Sequence, residues 1–315
     1  MNAFIRLVQN ENMKLYKRKL LWIMVAILIV TLVLSLVVTL KTTSGKSNDW
    51  KAETNSQIKK DQEAMDSNQF KPLNDQYKNE IKIDQYRLKN DVPPLNANTS
   101  LGFVQSTLGF STLLTIFIII IASSIVSQEF SWGTIKLVTM RPIQRWKILL
   151  SKYVSVLFNA LVLYLLLIIL SFLLGVIVFG FGDMSTHYVY IQNSDVRDVS
   201  ILTHFVQYFG SNFIGVVMIA TFAFMLSTLF KSNALAIALS IIIQYAGSLI
   251  TNLLSSFDQN YVKYVFFTNT DLYQYVEGTP PVQGMTLSFS LFILLAYFVV
   301  FIGLSIVVFQ KRDIV

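Results

Sequence analysis

The side chains best suited to chemistry in this chain of 315 residues are charges rather than nucleophiles. Five bases, Lys136, Arg141, Arg145, Lys147 and Lys152, crowd into residues 129–152 beside a single acid, Glu129. A stretch of that kind can dock into an acidic groove or rest on anionic headgroups, and it offers no nucleophile paired with a base. His187 and His204 have no acidic or cysteine cluster beside them, so they read as ordinary polar histidines and no metal site is expected. The chain has no cysteine, which excludes disulfides, thiolate nucleophiles and cysteine-ligated centres. Gly45-Lys46-Ser47 matches the last residues of a phosphate-binding loop, but that pattern needs glycine where Leu40 stands. No catalytic constellation emerges, and the chain is expected not to be an enzyme and to hold no cofactor of its own. If ATP drives it, another chain must bind the nucleotide.

The elements that position these charges follow from composition. With 54% hydrophobic and only 14% charged residues, the chain falls outside the range of soluble domains, which carry roughly a quarter charged residues. An all-α integral membrane protein with six transmembrane helices is expected, over residues 20–40, 108–127, 153–181, 201–230, 234–254 and 285–309. Residues 20–40 carry no charge, and at about 1.5 Å per residue they cover a hydrocarbon core of roughly 30 Å. Residues 1–19 are basic, with Phe4, Val8 and Leu15 on one helical face, and read as an interfacial amphipathic helix or as a solvated basic tail. Residues 41–107 form one large extramembrane insert. Leu73, Tyr77, Ile81 and Leu88 after Pro72, with Trp50, Ile58 and Met65 before it, suggest a helical hairpin, against the alternative of a plain spacer.

Basic residues in the short loops set the orientation. The N-terminal segment, the 128–152 loop, the turn at 231–233 and the tail at 310–315 hold thirteen bases, whereas the loops 182–200 and 255–284 hold Arg197 and Lys263 against six acids. Both termini are therefore expected in the cytoplasm, and the net charge of +7 reflects membrane orientation rather than nucleic-acid binding. The aromatics of loop 255–284 (Tyr261, Tyr264, Phe266, Phe267, Tyr273, Tyr275) suit the interfacial belt. No Asp, Glu, Lys or Arg lies in the core of any expected span, which argues against an ion-coupled carrier. Small residues of the fifth span (Ala234, Ala236, Ala238, Ser240, Gly247) allow close helix approach, within the chain or to another.

The 129–152 stretch resembles the cytoplasmic loop of type-2 ABC transporter permeases, including the antibiotic- and peptide-export and sodium-efflux branches. The resemblance rests on Glu129, Gly133, Thr134, Ile135, Val138, Pro142, Ile143, Arg145, Ile148 and Lys152, in the order and place the family requires. The layout of six spans with a large insert after the first is similar too.

That resemblance implies the membrane subunit of an ATP-driven exporter in a bacterial cytoplasmic membrane, paired with a second permease half and with a dimer of ATPase subunits that binds ATP and Mg. It makes the first half of the loop a coupling helix, with Glu129, Gly133, Thr134, Arg141, Pro142, Arg145 and Lys147 as its coupling residues. Pro142 is expected to break the loop into two stubby helices, anchored by Trp132 and Trp146. The translocation path is expected along the second and fifth spans, with Ser111, Thr115, Gln244, Tyr245 and Asn252 as lining candidates. Uncharged spans suit an amphiphilic or apolar cargo such as a peptide antibiotic, a lipid or a drug. A membrane sensor or scaffold that binds a ligand through its extracellular insert is the alternative.

Overall fold

The computed structural model describes residues 3–43, 49–67, 71–135, 143–181, 186–255, 259–278, 280–282 and 284–312. Six helices are long and apolar enough to cross a membrane. In chain order the helices are α1 (Ala3–Tyr16), α2 (Lys19–Thr43), α3 (Trp50–Ser67), α4 (Lys71–Asn90), α5 (Ser100–Thr107), α6 (Ser111–Ser124), α7 (Ser127–Ser131) and α8 (Arg145–Phe179). A two-stranded antiparallel ribbon follows, β1 (His187–Gln192) and β2 (Asp195–Ser200). Then come α9 (Ile201–Leu229), α10 (Asn233–Ser255), α11 (Gln259–Val262), α12 (Phe266–Thr270) and α13 (Leu287–Lys311). The crossings alternate, so α1, α7, the 231–232 turn and the end of α13 share one end of the bundle, the terminal end. The α3–α4 hairpin and the β ribbon share the other.

The bundle core is apolar, and so is its surface. Leu28 and Leu32 of α2, Leu114 and Ile118 of α6, Val156 of α8, and Ala220 and Phe224 of α9 belong to one buried cluster. Outward, α13 exposes Phe292, Leu295 and Val299, and α10 exposes Leu249 and Leu253. A soluble protein does not tolerate that much contiguous apolar surface, whereas lipid solvates it.

Several boundaries differ from those expected. The second crossing starts at Ser100 rather than at 108, because the Thr99 hydroxyl caps α5 by accepting from Gly102 N at 3.0 Å and a 3-10 turn, Leu108–Phe110, carries the chain into α6. The third starts at Arg145 rather than at 153, so the second of the two stubby loop helices is instead the base of α8. No proline or glycine interrupts 145–174, and Ile148 and Leu149 are buried, so the helix continues through its charges. The loop before α9 is the β ribbon, whose turn residues Asn193 and Ser194 both have positive φ (49° and 73°). That is the pattern of a tight two-residue hairpin turn.

The aromatic loop after α10 is the largest correction. Tyr261 and Tyr264 are exposed, as an interfacial belt requires, but Phe266 is buried and packs on Phe222, Tyr297 and Phe301 at ring-centroid distances of 5.9, 5.3 and 5.3 Å. Phe301 lies near the middle of α13, so α12 plugs the bundle instead of floating at its surface. Irregular backbone at that depth needs internal hydrogen bonds. Asn269 supplies them, donating Nδ2 to the Lys263 and Val265 carbonyls (2.9 and 2.8 Å) while its Oδ1 accepts from the Ser290 hydroxyl (2.6 Å). Gly215 of α9 makes room for the plug, since a Cβ there would lie 2.4 Å from the Thr270 carbonyl oxygen. In α10, Ala236, Ser240 and Gly247 are buried within the chain while Ala234 and Ala238 face out, so packing inside the chain uses one row of the small residues.

Candidate functional site

Two places gather the residues singled out from the sequence: a junction at the terminal end and a cavity between α6, α9 and α10. At the junction α1 lies against the base of α8. Asn12 accepts through Oδ1 from the Ser155 hydroxyl and from Asn159 Nδ2 (2.8 Å), which sets the register of α1 along α8. One turn further toward the start of α8, Lys152 is 0% exposed. Its Nζ donates to Glu11 Oε2 and to Glu129 Oε1, both at 2.7 Å. Lys14 Nζ bridges the same two acids, at 2.7 Å to Glu11 Oε1 and 3.1 Å to Glu129 Oε1.

These four side chains form a closed, charge-balanced ring that ties α1, α7 and α8 together. Burial alone would raise the Glu11 carboxyl, but the ammonium groups of Lys152 and Lys14 outweigh it and hold Glu11 below the usual carboxylate range. For Lys14, burial works downward and the Glu129 and Glu11 carboxylates outweigh it upward. Removing one member of a buried ion pair leaves an uncompensated charge, at about 3–5 kcal/mol. The half-exposed Lys14 is the weaker member because solvent screens it.

The segment that carries Glu129 is pinned on its other side as well. Ser227 Oγ accepts from the backbone N–H groups of Val126 and Ser127 (3.1 and 3.0 Å). Ser131 Oγ donates to the Lys231 carbonyl (2.9 Å) and accepts from Asn233 N (2.9 Å). The turn between α9 and α10 thus moves with α7. Arg312 adds a third tie: its two terminal nitrogens donate to the Thr228 and Leu229 carbonyls (2.8 and 2.7 Å), and its guanidinium lies 4.8 Å from the Phe130 ring centre. Satisfying the last carbonyls of a helix with a cation complements its dipole.

Five of the seven expected coupling residues lie among the described residues. Glu129 is 6% exposed, so it is an internal strut and not a group presented to a partner; its Oε2 has no hydrogen-bond partner among the described residues. Gly133 has φ +70° and ends α7, its N–H bonding to the Phe130 carbonyl at 3.1 Å, a left-handed position that favours glycine. Thr134 Oγ1 approaches the Glu129 carbonyl at 3.4 Å. Arg141 and Pro142 lie outside the described residues. Arg145 donates to the Gln310 and Arg312 carbonyls (3.1 and 3.3 Å), joining α8 to the end of α13. Lys147 is exposed, its Nζ 5.5 Å from the Trp146 ring centre.

Sequence reasoning missed Glu11 and Lys14 as partners of the loop. The signal was present in Glu11, the single acid among the first nineteen residues.

The second place is a cavity of about 650 Å³. Ser111, Thr115, Gln244 and Tyr245 all line it, while the side chain of Asn252 lies outside the described ones. Tyr208, Asn212, Thr251 and Gln274 line it too, and had not been singled out. Val216, Ile219 and Phe267 supply an apolar part of its wall. Gln244 Oε1, Thr251 Oγ1 and Thr268 Oγ1 are buried with no hydrogen-bond partner among the described residues. Its volume and its mixture of apolar surface with a few unpaired polar atoms are those of a small-molecule or acyl-chain site.

Comparison with known proteins agrees with this picture of a membrane bundle. Over 98% of its length the chain is 38% identical to the uncharacterized protein YhcI of Bacillus subtilis (strain 168), covering 99% of that protein. It is also 32% identical, over 68% of its length, to the uncharacterized membrane protein YdbK of the same organism, covering 83% of it. Residues 82–315 match the family described as "Protein of unknown function (DUF2705)". This chain, a multi-pass membrane protein, belongs to the DUF2705 family.

Proposed function

We propose that the chain is the permease half of an ATP-driven exporter, with its termini in the cytoplasm of a bacterial cell. The observation that carries this reading is the buried ring of Glu11, Lys14, Glu129 and Lys152. It ties α7, at the start of the loop between the second and third spans, to the base of α8, so that the two flanks of that loop form one handle. A force on α7 is passed to α8 through Lys152, to α1 through Glu11, and to the α9–α10 turn through Ser131.

A dimer of separate ATPase subunits supplies the force and binds ATP and Mg. Closure of the ATPases on the exposed face of the loop tilts α8, α9 and α10 together, and access to the 650 Å³ cavity changes between the two membrane faces. Its wall mixes apolar surface with hydroxyl and amide groups and one acid, Asp271, a combination that suits an amphiphilic cargo.

The test is affinity purification in mild detergent from the native host, with an ATPase assay on the eluate. A stoichiometric nucleotide-binding subunit whose ATPase responds to Glu129→Gln supports the reading. Recovery of this chain without any ATPase overturns it.

A further inference from the structure

Away from the junction, a second group of ionisable side chains sits where the α3–α4 hairpin rests on the β ribbon. The hairpin is seated there by Lys82 Nζ, which donates to the Ser194 carbonyl at the ribbon turn (3.3 Å). Glu277 is held beside the ribbon by its neighbour Gly278, whose N–H bonds to the Ile191 carbonyl at 2.8 Å while its own carbonyl accepts from Asn193 N at 3.1 Å. Between them lies a cavity of about 220 Å³, lined by four carboxylates, Asp61, Glu80, Asp84 and Glu277, and one guanidinium, Arg87.

Acids gathered at a surface are ordinary, but Asp61 is not at a surface. It is 4% exposed, and while its Oδ1 accepts from Gln57 Nε2 at 2.8 Å, its Oδ2 has no partner among the described residues. Arg87, the single cation on the wall, turns Nη1 to Asp84 Oδ1 at 3.2 Å, and its buried Nε has no hydrogen-bond partner among the described residues, so it does not pair with Asp61. Burial pushes the Asp84 carboxyl up; Arg87 opposes this, and the charges of Asp61 and Glu80 add to it. An unpaired buried carboxylate is unfavourable by several kcal/mol and is normally found where a cation completes it. Among the described residues no three acids or histidines converge in a metal-binding arrangement, so a multidentate metal ion does not fit. A group that donates several hydrogen bonds from one positive centre does.

A neighbouring groove of about 360 Å³ shares Glu80, Ile83 and Glu277 with this cavity and adds Asp75. The acidic lining therefore extends along α4 beyond a single side chain, which suits a ligand carrying more than one positive charge.

We infer that this cavity is a binding site for an ammonium group, with Asp61 as its principal partner, entered by a linear polycation that continues along the α4 groove. The site does not depend on the export reading. A free polyamine and a lysine-rich peptide present the same chemistry, and the experiment separates them.

The full chain is reconstituted in nanodiscs of phosphatidylcholine, which has no net charge to attract the ligand, and titrated calorimetrically with spermidine, trilysine and calcium chloride in turn. The expected result is saturable binding of spermidine, of trilysine or of both, weakened at least tenfold by Asp61→Asn and by Asp84→Asn. Glu63→Gln, on an exposed position of the same helix, should leave it within twofold. Without ligand Asp61→Asn should melt no lower than the parent chain, so lost binding is not lost folding. Binding of spermidine alone assigns a free polyamine, and binding of trilysine alone assigns a peptide. The inference is overturned by absence of saturable ammonium binding, by calcium binding in its place, or by Glu63→Gln weakening it as much as Asp61→Asn.

Discussion

Lys152 and Glu129 stand at opposite ends of the stretch that first drew notice in the sequence, and their side chains meet at 2.7 Å inside the protein. Their contact staples α7 to the base of α8, and Glu11 of the N-terminal helix completes the staple from the far side of Lys152.

Breaking that staple on one side should be worse than removing it. Lys152→Met leaves Glu11 and Glu129 with the half-exposed Lys14 as their shared cation in a buried site, and is expected to destabilise the chain by about 3 kcal/mol. Adding Glu11→Gln and Glu129→Gln to it should recover most of the loss. Thermal unfolding in detergent measures this, and equal melting temperatures for the single and triple variants would argue against a coupled ring.

The docking of α1 should resist acid. Because Glu11 is held below the usual carboxylate value of 4.5, its contribution is fully present above that pH and is lost as pH falls through the lower folded value. The chain lacks cysteine, so spin labels at Met13→Cys and Trp132→Cys, both exposed positions, report the distance between α1 and the loop. The distance should be constant from pH 8 to 5 and broaden only below the ordinary carboxylate range. Broadening that begins near pH 6 would contradict the depressed value.

Gly133→Ala places a Cβ on a residue with φ +70° and should cost about 1–2 kcal/mol locally. Hydrogen exchange should speed up across 127–135 while the α9 interior stays protected. Unchanged exchange there would mean that the loop has another way to turn.

In the 650 Å³ cavity, Gln244→Leu removes a buried carbonyl oxygen that lacks a partner, so stability should hold or rise by about 1 kcal/mol. Export of an amphiphilic cargo, measured in inverted vesicles with the ATPase present, should fall nonetheless. A large drop in melting temperature would assign Gln244 to the scaffold instead of the cavity.

Much of the architecture was legible because membrane spans announce themselves by length and apolarity. All six crossings and the tight turn at 231–233 follow from that, and the helical insert follows from the spacing of Leu73, Tyr77, Ile81 and Leu88 after Pro72. The boundaries at Ser100 and Arg145 did not, since hydropathy stops at a charge. Lys152 ends an apolar run on paper, yet Glu11, 141 residues away in the chain, neutralises it inside the fold. The β ribbon had a readable signal in the aromatic and β-branched run Tyr188–Ile191 followed by Asn193-Ser194 at the turn, which reading the stretch only as a short loop passed over. The α12 plug had none: a Phe beside Tyr residues reads equally as belt or as core, and what decides is Asn269 folding back on its own loop.

The hold of Arg312 on the Thr228 carbonyl spans 84 residues. A chain leaving the ribosome makes α9 long before it makes that arginine. Until then the Thr228 and Leu229 carbonyls lack their guanidinium donor and the α9–α10 turn lacks its third tie, so this end of the bundle is locked only once α13 is in place. A bundle without that side chain leaves the two carbonyls without their guanidinium donor, and Arg312→Ala should shorten the lifetime of the protein in the cell far more than the loss of one side chain from the packing suggests.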